Sequence, residues 1–309
     1  MAFRTLVLAA LVSLALAAPS TKTKIVLTND DGWAVANIRA QYDALTTAGY
    51  DVILSAPSIN RSGTGSSSKT PTPLTSPCEF DSCPTGSPAE GSDPTNPRLN
   101  YVNSYPVDAV TYGITNLSQS LFSGPPDFVV SGPNVGYNLG IQVPFSGTVG
   151  AASAAVRAGI PAVAFSASTG SEISYTTLTS DPTSADSQAA LIYSQVTTQF
   201  VNALISTGKP YLPTGLSLNV NYPPISSSGC ASAADFKFVL SRVDWNPFAT
   251  DVNTCGSTHL PTESTVTGTS GCFASVSVFD ATNGLKLDGN ASEQAAILQK
   301  LGSILTCLP

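Results

Sequence analysis

KIVLTNDDG, residues 24–32, decides the fold. Its first five residues form a short β-branched, apolar run, as expected of a strand buried on both faces. The run then breaks into an amide, two acids and a glycine, all turn formers. Helical spacing follows over residues 34–49, with Ile38, Tyr42 and Leu45 on one face and Gly49 at the stop. A buried strand, a polar turn and an amphipathic helix make the opening unit of a parallel α/β sheet.

The pattern repeats outward from there. Residues 51–56, 127–131 and 162–166 read as further apolar strands, and 106–117, 147–158 and 184–207 as helices. From about Gly215 the character changes. Residues 216–220, 236–243 and 274–279 read as strands joined by Ser/Thr/Gly loops, closed by a helix over 292–305. Residues 58–100 are rich in Ser, Pro, Gly and Thr and read as a long loop or small subregion. The implied fold class is α/β: a Rossmann-like, three-layer α/β/α, doubly wound and mostly parallel sheet with an added β-rich C-terminal portion.

Charged residues are only 11% of the 309, against roughly 25% in an average domain. The formal net charge is −7, which argues against a nucleic-acid polymer or an anionic membrane as the main partner. A small anion bound locally remains compatible with it. Residues 1–18 carry Arg4, an apolar run and small residues at 15, 17 and 18, the pattern of a secretory signal peptide. The run is too short for a membrane span, and no later stretch is long enough. A secreted single domain over 19–309, with its core at about 24–280, is expected.

Six cysteines (78, 83, 230, 255, 272 and 307) in a secreted chain imply disulfides. Cys78 and Cys83 are expected to pair; the other pairings stay open. One histidine and no C-x-x-C pair exclude a zinc site. Asn60, Asn116 and Asn290 open N-glycosylation sequons.

The polar residues collect where strands end. Asn29, Asp30 and Asp31 follow the first strand, Ser62 the second and Asn134 the third. In an open α/β sheet these loops converge at the carboxyl ends of the strands. Two adjacent buried carboxylates repel and need a cation. With a hydroxyl and an amide oxygen they suit a hard divalent ion, Mg²⁺, Mn²⁺ or Ca²⁺. Ser146-Gly147-Thr148 opens the small apolar helix, whose free N–H groups favour a phosphate, with Asn138 and Gly140 at the rim. No G-x-G-x-x-G or G-x-S-x-G is present, and the sole histidine, His259, reads as a loop residue.

These residues resemble the SurE family of metal-dependent phosphatases and nucleotidases. The resemblance runs through KIVLTNDDG, APSINRSGTGSS (56–67), PPDFVVSGPNVGYNLG (125–140), SGTVGAA (146–152) and GIPAVAFS (159–166). It implies that Asp30, Asp31, Ser62 and Asn134 hold the metal, and that Asn29 and the Ser146-Gly147-Thr148 turn frame the substrate phosphate. Asp30, Asp31 and Asn29 are the implied catalytic group, with Asn138, Ser146, Gly147 and Thr148 binding phosphate. The implied activity is that of a secreted fungal acid phosphatase or 5′(3′)-nucleotidase acting on small phosphate esters. A non-catalytic phosphate- or nucleotide-binding protein of the same fold is the alternative. A homodimer built by C-terminal exchange is also implied, although Cys307 offers a different tether. The sequence departs from the family at Trp33-Ala34-Val35-Ala36-Asn37, directly after the two aspartates. A glycan on Asn60 would crowd the site, so that sequon is expected to be unmodified.

Overall fold

A computed structural model describes residues 22–168, 170–225, 229–285 and 287–309. The signal-peptide reading of residues 1–18 lies outside them. The chain runs β1 (Lys24–Thr28), α1 (Ala36–Thr47), β2 (Asp51–Pro57), β3 (Glu90–Asp93), β4 (Asn96–Val102), α2 (Pro106–Tyr112), α3 (Ser118–Leu121) and β5 (Phe128–Val135). It continues α4 (Gly147–Arg157), β6 (Ala162–Ala167), α5 (Thr177–Ser180), α6 (Ala185–Ser206) and β7 (Leu216–Tyr222). It ends β8 (Lys237–Ser241), α7 (Glu263–Gly268), β9 (Phe273–Asp280) and α8 (Ala291–Leu301).

Among the described residues nine strands join one sheet, ordered β3-β4-β2-β1-β5-β6-β7-β9-β8. The six strands from β4 to β7 in this order are parallel; β3 pairs antiparallel with β4, and β9 antiparallel with β7. Winding reverses between β1 and β5, so a crevice opens beyond their carboxyl ends.

Alternation along the strands feeds two cores. Ile25, Leu27, Leu54, Val130 and Phe165 face α1 and α6, meeting Ile38, Leu45, Tyr193 and Phe200. Val26, Ile53, Val129 and Ala164 face α2 and α4, meeting Val110, Val149 and Ala152. The result is the expected three-layer α/β sandwich. Each large side chain fully buried in these layers is worth about 1.5–3 kcal/mol.

The β-rich C-terminal portion takes the form of β7, β9 and β8 extending the same sheet, with β8 parallel to β9. The outer edge of β8 is covered by the chain itself. Leu305 bridges Phe238, and the Thr306 N–H donates to the Phe238 carbonyl at 2.8 Å. Cys255–Cys307 ties this segment down, beside Cys230–Cys272 and the expected Cys78–Cys83 pair.

Two local readings change. Residues 58–100 end in a β-hairpin whose second strand, β4, joins the sheet beside β2. Leu99 and Tyr101 alternate with Arg98 and Asn100 there, but only over a few residues, and the Pro/Ser/Gly-rich surroundings mask the period. Helix α1 begins at Ala36 rather than 34. Trp33 N–H donates to the Pro57 carbonyl at 2.9 Å, Val35 is extended, and Ala36 N–H donates to Ile173 at 2.9 Å. Those bonds stretch the turn after the two aspartates. Among the described residues no helix is long and apolar enough to cross a membrane.

Candidate active site

The end of β1 delivers Asn29, Asp30 and Asp31 to the crevice, all buried. Asn29 folds back on its own turn. Its Nδ2 donates to the Gly32 carbonyl at 3.0 Å and its Oδ1 accepts from Gly32 N–H at 3.2 Å. Asp30 turns the other way, to the start of α4. Its Oδ1 accepts from the Thr148 hydroxyl, and the backbone N–H groups of Gly147 and Thr148 also bond the carboxylate. The anion seated on this helix N-terminus is therefore Asp30 itself. Gly147 makes that approach possible, since a Cβ there would lie 2.8 Å from Asp30 Oδ2.

Strand β5 supplies the opposite wall. Its pairing with β6 slips between Ser131 and Asn134. Gly132 sits at the slip with φ +106°, and a Cβ there would lie 2.2 Å from the Phe165 carbonyl oxygen. Only glycine fits both constraints. Such bulges re-aim side chains, and Asn134 reaches the cavity wall. Asn134 Nδ2 donates to the Gly136 carbonyl at 2.9 Å. The Val135 N–H donates to Asp31 Oδ2 at 2.9 Å, tying the two walls together.

A cavity of about 440 Å³ is lined by Asp30, Ser62, Asn134, Asn138 and Ser146, with Tyr137, Ile141 and Phe145 on its apolar side. Ser62 is exposed on a turn anchored by Arg61 N–H, which donates to the Asp30 carbonyl at 2.7 Å. Ser146 caps α4, accepting from Val149 N–H at 3.1 Å. Asn138 is fixed by three partners: its Nδ2 donates to Ser166 Oγ at 2.7 Å, its N–H to Asn221 Oδ1 at 2.9 Å, and its carbonyl accepts from Asn219 Nδ2 at 2.7 Å. Five of the nine residues singled out in the sequence thus share one cavity, and Asp31 joins them through Val135. Asn29, Gly147 and Thr148 stand behind the wall, engaged with the aspartate turn. Asn60 Nδ2, the acceptor atom of that sequon, is bonded to Glu172. His259 is exposed and lines a separate cavity beside Cys255 and Cys307.

The electrostatics call for a cation. Burial raises the pKa of Asp30, against the hydrogen bonds from Thr148 and Gly147. Burial, and then the neighbouring Asp30 charge, push Asp31 well above the carboxylate range, with Glu172 and Glu79 adding to it. Among the described residues no three acidic, histidine or cysteine side chains group as metal ligands; the set here mixes two carboxylates with an amide and a hydroxyl. Asp31 Oδ1 and Asn134 Oδ1 are buried without a hydrogen-bond partner. Buried oxygens left unpaired are costly. Two such atoms among four hard-oxygen candidates fit a divalent ion.

Three acids were not singled out in the sequence. Glu79 and Glu172 belong to loops far away in the chain, and only the nearby Cys78–Cys83 spacing hinted at an ordered loop around Glu79. Glu263, the first residue of α7, accepts from Asn219 Nδ2 at 2.7 Å and from Gly140 N–H at 3.1 Å, bracing the cavity rim from beneath. Burial pushes its carboxyl from 4.5 up to about 8, against the hydrogen bonds from Gly140 and Asn219. Between these values the folded chain holds a proton that the unfolded chain releases. The stability this gives is full below the lower value and is lost as pH rises through the upper one. The melting temperature of metal-free protein should therefore drop between about pH 5 and about pH 8, and drop less in Glu263→Gln. Parallel wild-type and variant profiles in scanning calorimetry would exclude Glu263 as a contributor.

Comparison with known proteins agrees with this architecture. The family described as "Survival protein SurE" matches residues 25–242. An "Acid phosphatase" of Yarrowia lipolytica is 34% identical over 289 residues, covering 84% of this chain and 79% of that protein. A "5'-nucleotidase SurE" of Lawsonia intracellularis is 34% identical over 202 residues, covering 65% of this chain and 66% of that one. The crystal structure of a SurE protein from Aquifex aeolicus superposes with a TM-score of 0.57 at 24% identity, covering 83% of this chain and 93% of that one.

Proposed function

The chain belongs to the SurE family, and from that premise we propose that it is a metal-dependent phosphomonoesterase, a hydrolase of small phosphate esters of the acid phosphatase or 5′-nucleotidase kind. The observation that carries this reading is the pair of unpartnered buried oxygens, Asp31 Oδ1 and Asn134 Oδ1, in a site whose other wall is Asp30. Asp30, Asp31, Ser62 and Asn134 would hold a divalent ion, Mg²⁺ or Mn²⁺ by donor type. Such an ion supplies neutralisation of the carboxylates and Lewis acidity toward a phosphoryl oxygen.

The chain's own groups do the rest. Ser146 and Asn138 border the cavity and orient the phosphate. Asp30 is the base that takes the proton of the attacking water and passes it to the ester oxygen, which leaves as the alcohol as its bond to phosphorus breaks. Thr148 and the α4 N–H groups hold the Asp30 carboxylate in place, and Asn29 fixes the turn that carries it. Both therefore work on the aspartates rather than on the phosphate. Tyr137, Ile141 and Phe145 form the side open to the organic part of the ester. Three disulfides suit an oxidising, extracellular setting.

The test is hydrolysis of a generic phosphomonoester by the purified protein, after EDTA treatment and again after Mg²⁺ or Mn²⁺ is added back. Activity should vanish with the chelator and return with the metal. EDTA-resistant hydrolysis would overturn the metal mechanism. Phosphate binding without hydrolysis under any metal would identify a binding protein instead.

A further inference from the structure

The turn that follows the two aspartates, Gly32 to Val35, lies between β1 and α1; its far end is bridged to residues 173–175, with Val35 opposite Ser174 and the Ala34 carbonyl accepting from Tyr175 N–H at 2.9 Å. The Cys78–Cys83 loop packs against it. Glu79 Oε1 accepts from Ala34 N–H at 2.8 Å. Trp33 Nε1 donates to Ser82 Oγ at 3.0 Å. The Glu79 carboxylate covers the open face of Gly32, where φ is +125° and a Cβ would lie 2.2 Å from both carboxylate oxygens. The loop is in turn anchored to the strand that leads to Ser62, because Glu79 N–H donates to the Ser58 carbonyl at 3.1 Å.

Its internal geometry is demanding. Phe80 and Asp81 take φ of 52° and 53°, which non-glycine residues rarely adopt. The disulfide, the Cys78 N–H bond to the Cys83 carbonyl at 2.9 Å and the Ser82 hydroxyl bond to the Glu79 carbonyl at 2.7 Å hold it there. Arg39 closes the far side, donating from Nε to the Trp33 carbonyl at 2.7 Å and lying 4.8 Å from the Trp33 ring.

We propose that Glu79, presented by the Cys78–Cys83 loop, is a positioning residue for the Asp30–Asp31 turn. It fixes the backbone at Gly32 and Ala34, so that the two carboxylates are already aligned when a divalent cation arrives. This rests on the cation reading of the site given above. Glu79 itself does not line the cavity, and its action runs through the backbone.

The test is titration of metal-free full-length protein with Mn²⁺ alone, by calorimetry, in wild type, Glu79→Ala, Glu79→Gln and the Cys78→Ser/Cys83→Ser pair. The double variant is used because a reductant would also open the other two disulfides. Glu79→Ala and the double variant should bind Mn²⁺ about tenfold more weakly, the lower range for residues that orient metal ligands. Glu79→Gln should stay within about threefold of wild type, since its amide oxygen still accepts from Ala34 N–H. A loss of global stability alone would not produce this rescue. Wild-type affinity in Glu79→Ala would overturn the proposal, as would a Gln variant as weak as the Ala variant. Hydrogen exchange at the Ala34 amide is read in parallel and should be faster in Glu79→Ala. If wild type binds no Mn²⁺ while that exchange still responds, the cation reading falls and the clamp stands.

Discussion

Asp31→Asn should lose hydrolysis by about 10³-fold, the upper range for removing one preorganised electrostatic group. The variant keeps an oxygen to accept from Val135 N–H, so the tie between β1 and β5 survives. What changes is the second oxygen, Oδ1, which is buried and unpartnered in the native chain. An amide nitrogen there would present protons where a cation should sit. One of two adjacent buried carboxylates is also removed, and with it the charge that calls for a counter-ion. The metal-free variant should accordingly melt at or above the temperature of metal-free wild type, because a carboxyl whose ionisation is disfavoured by burial and by Asp30 has been replaced by a neutral isostere. A loss of activity combined with a gain in apo stability marks a residue kept for function. Steady-state kinetics and calorimetry on the same preparation read both. Retained, chelator-sensitive hydrolysis would remove Asp31 from the site.

Gly147→Ala should lower kcat/KM roughly 100-fold, the loss that a displacement of about 1 Å produces at a reacting group. The added methyl would lie 2.7 Å from Asp30 Cβ and 2.8 Å from its Oδ2. Asp30 has no slack, since its carboxylate is already bonded to Thr148 and the helix N-terminus. It must therefore swing off α4 and away from Asn134 and Ser62. The helix itself gains from alanine, which is a better helix former than glycine by about 1 kcal/mol. Circular dichroism should be unchanged. Gly268→Ala is the matched control: a Cβ there meets open space, and activity should stay within about twofold of wild type. Equal losses in the two variants would mean that the effect is not local to Asp30.

Much of this was legible before any coordinates. Apolar runs such as 24–28 and 162–166 can only be interior strands, and their order with the helices between them fixes a doubly wound sheet. Asp30, Asp31, Ser62 and Asn134 stand directly after such runs, so the topology alone draws their loops together. The β3–β4 hairpin escaped because its period is short and its flanks are turn-rich. The occupant of the α4 N-terminus escaped for a different reason. A Ser-Gly-Thr helix start announces an anion, but nothing local says that the anion is a carboxylate 118 residues earlier in the chain. Glu79 is hidden in the same way, because its partners lie 45 residues away. The Cys230–Cys272 pair depends on how β8 and β9 lie side by side, and Cys255–Cys307 on how the segment around Leu305 closes over β8, which spacing cannot convey.

The two margins of the sheet are guarded by different means, and the difference has a colloidal consequence. Exposed strand margins are templates onto which a second chain can add. The β8 margin is shut by the chain's own segment around Leu305, fastened through Cys255–Cys307. The β3 margin is only four residues long, has an irregular register at Ser92/Asp93, and carries Glu90 and Asp93. Asp93 keeps its charge into acid: burial is the largest single influence and raises its carboxyl, but hydrogen bonds from Thr95 and the Arg39 charge together hold it below its ordinary value. Near the acidic isoelectric point that the composition sets, about pH 4.5 from the sequence alone, net charge is small and long-range repulsion between copies fades. There the protein's dispersal in solution depends on contour and covalent closure, with one persistent carboxylate at the open rim.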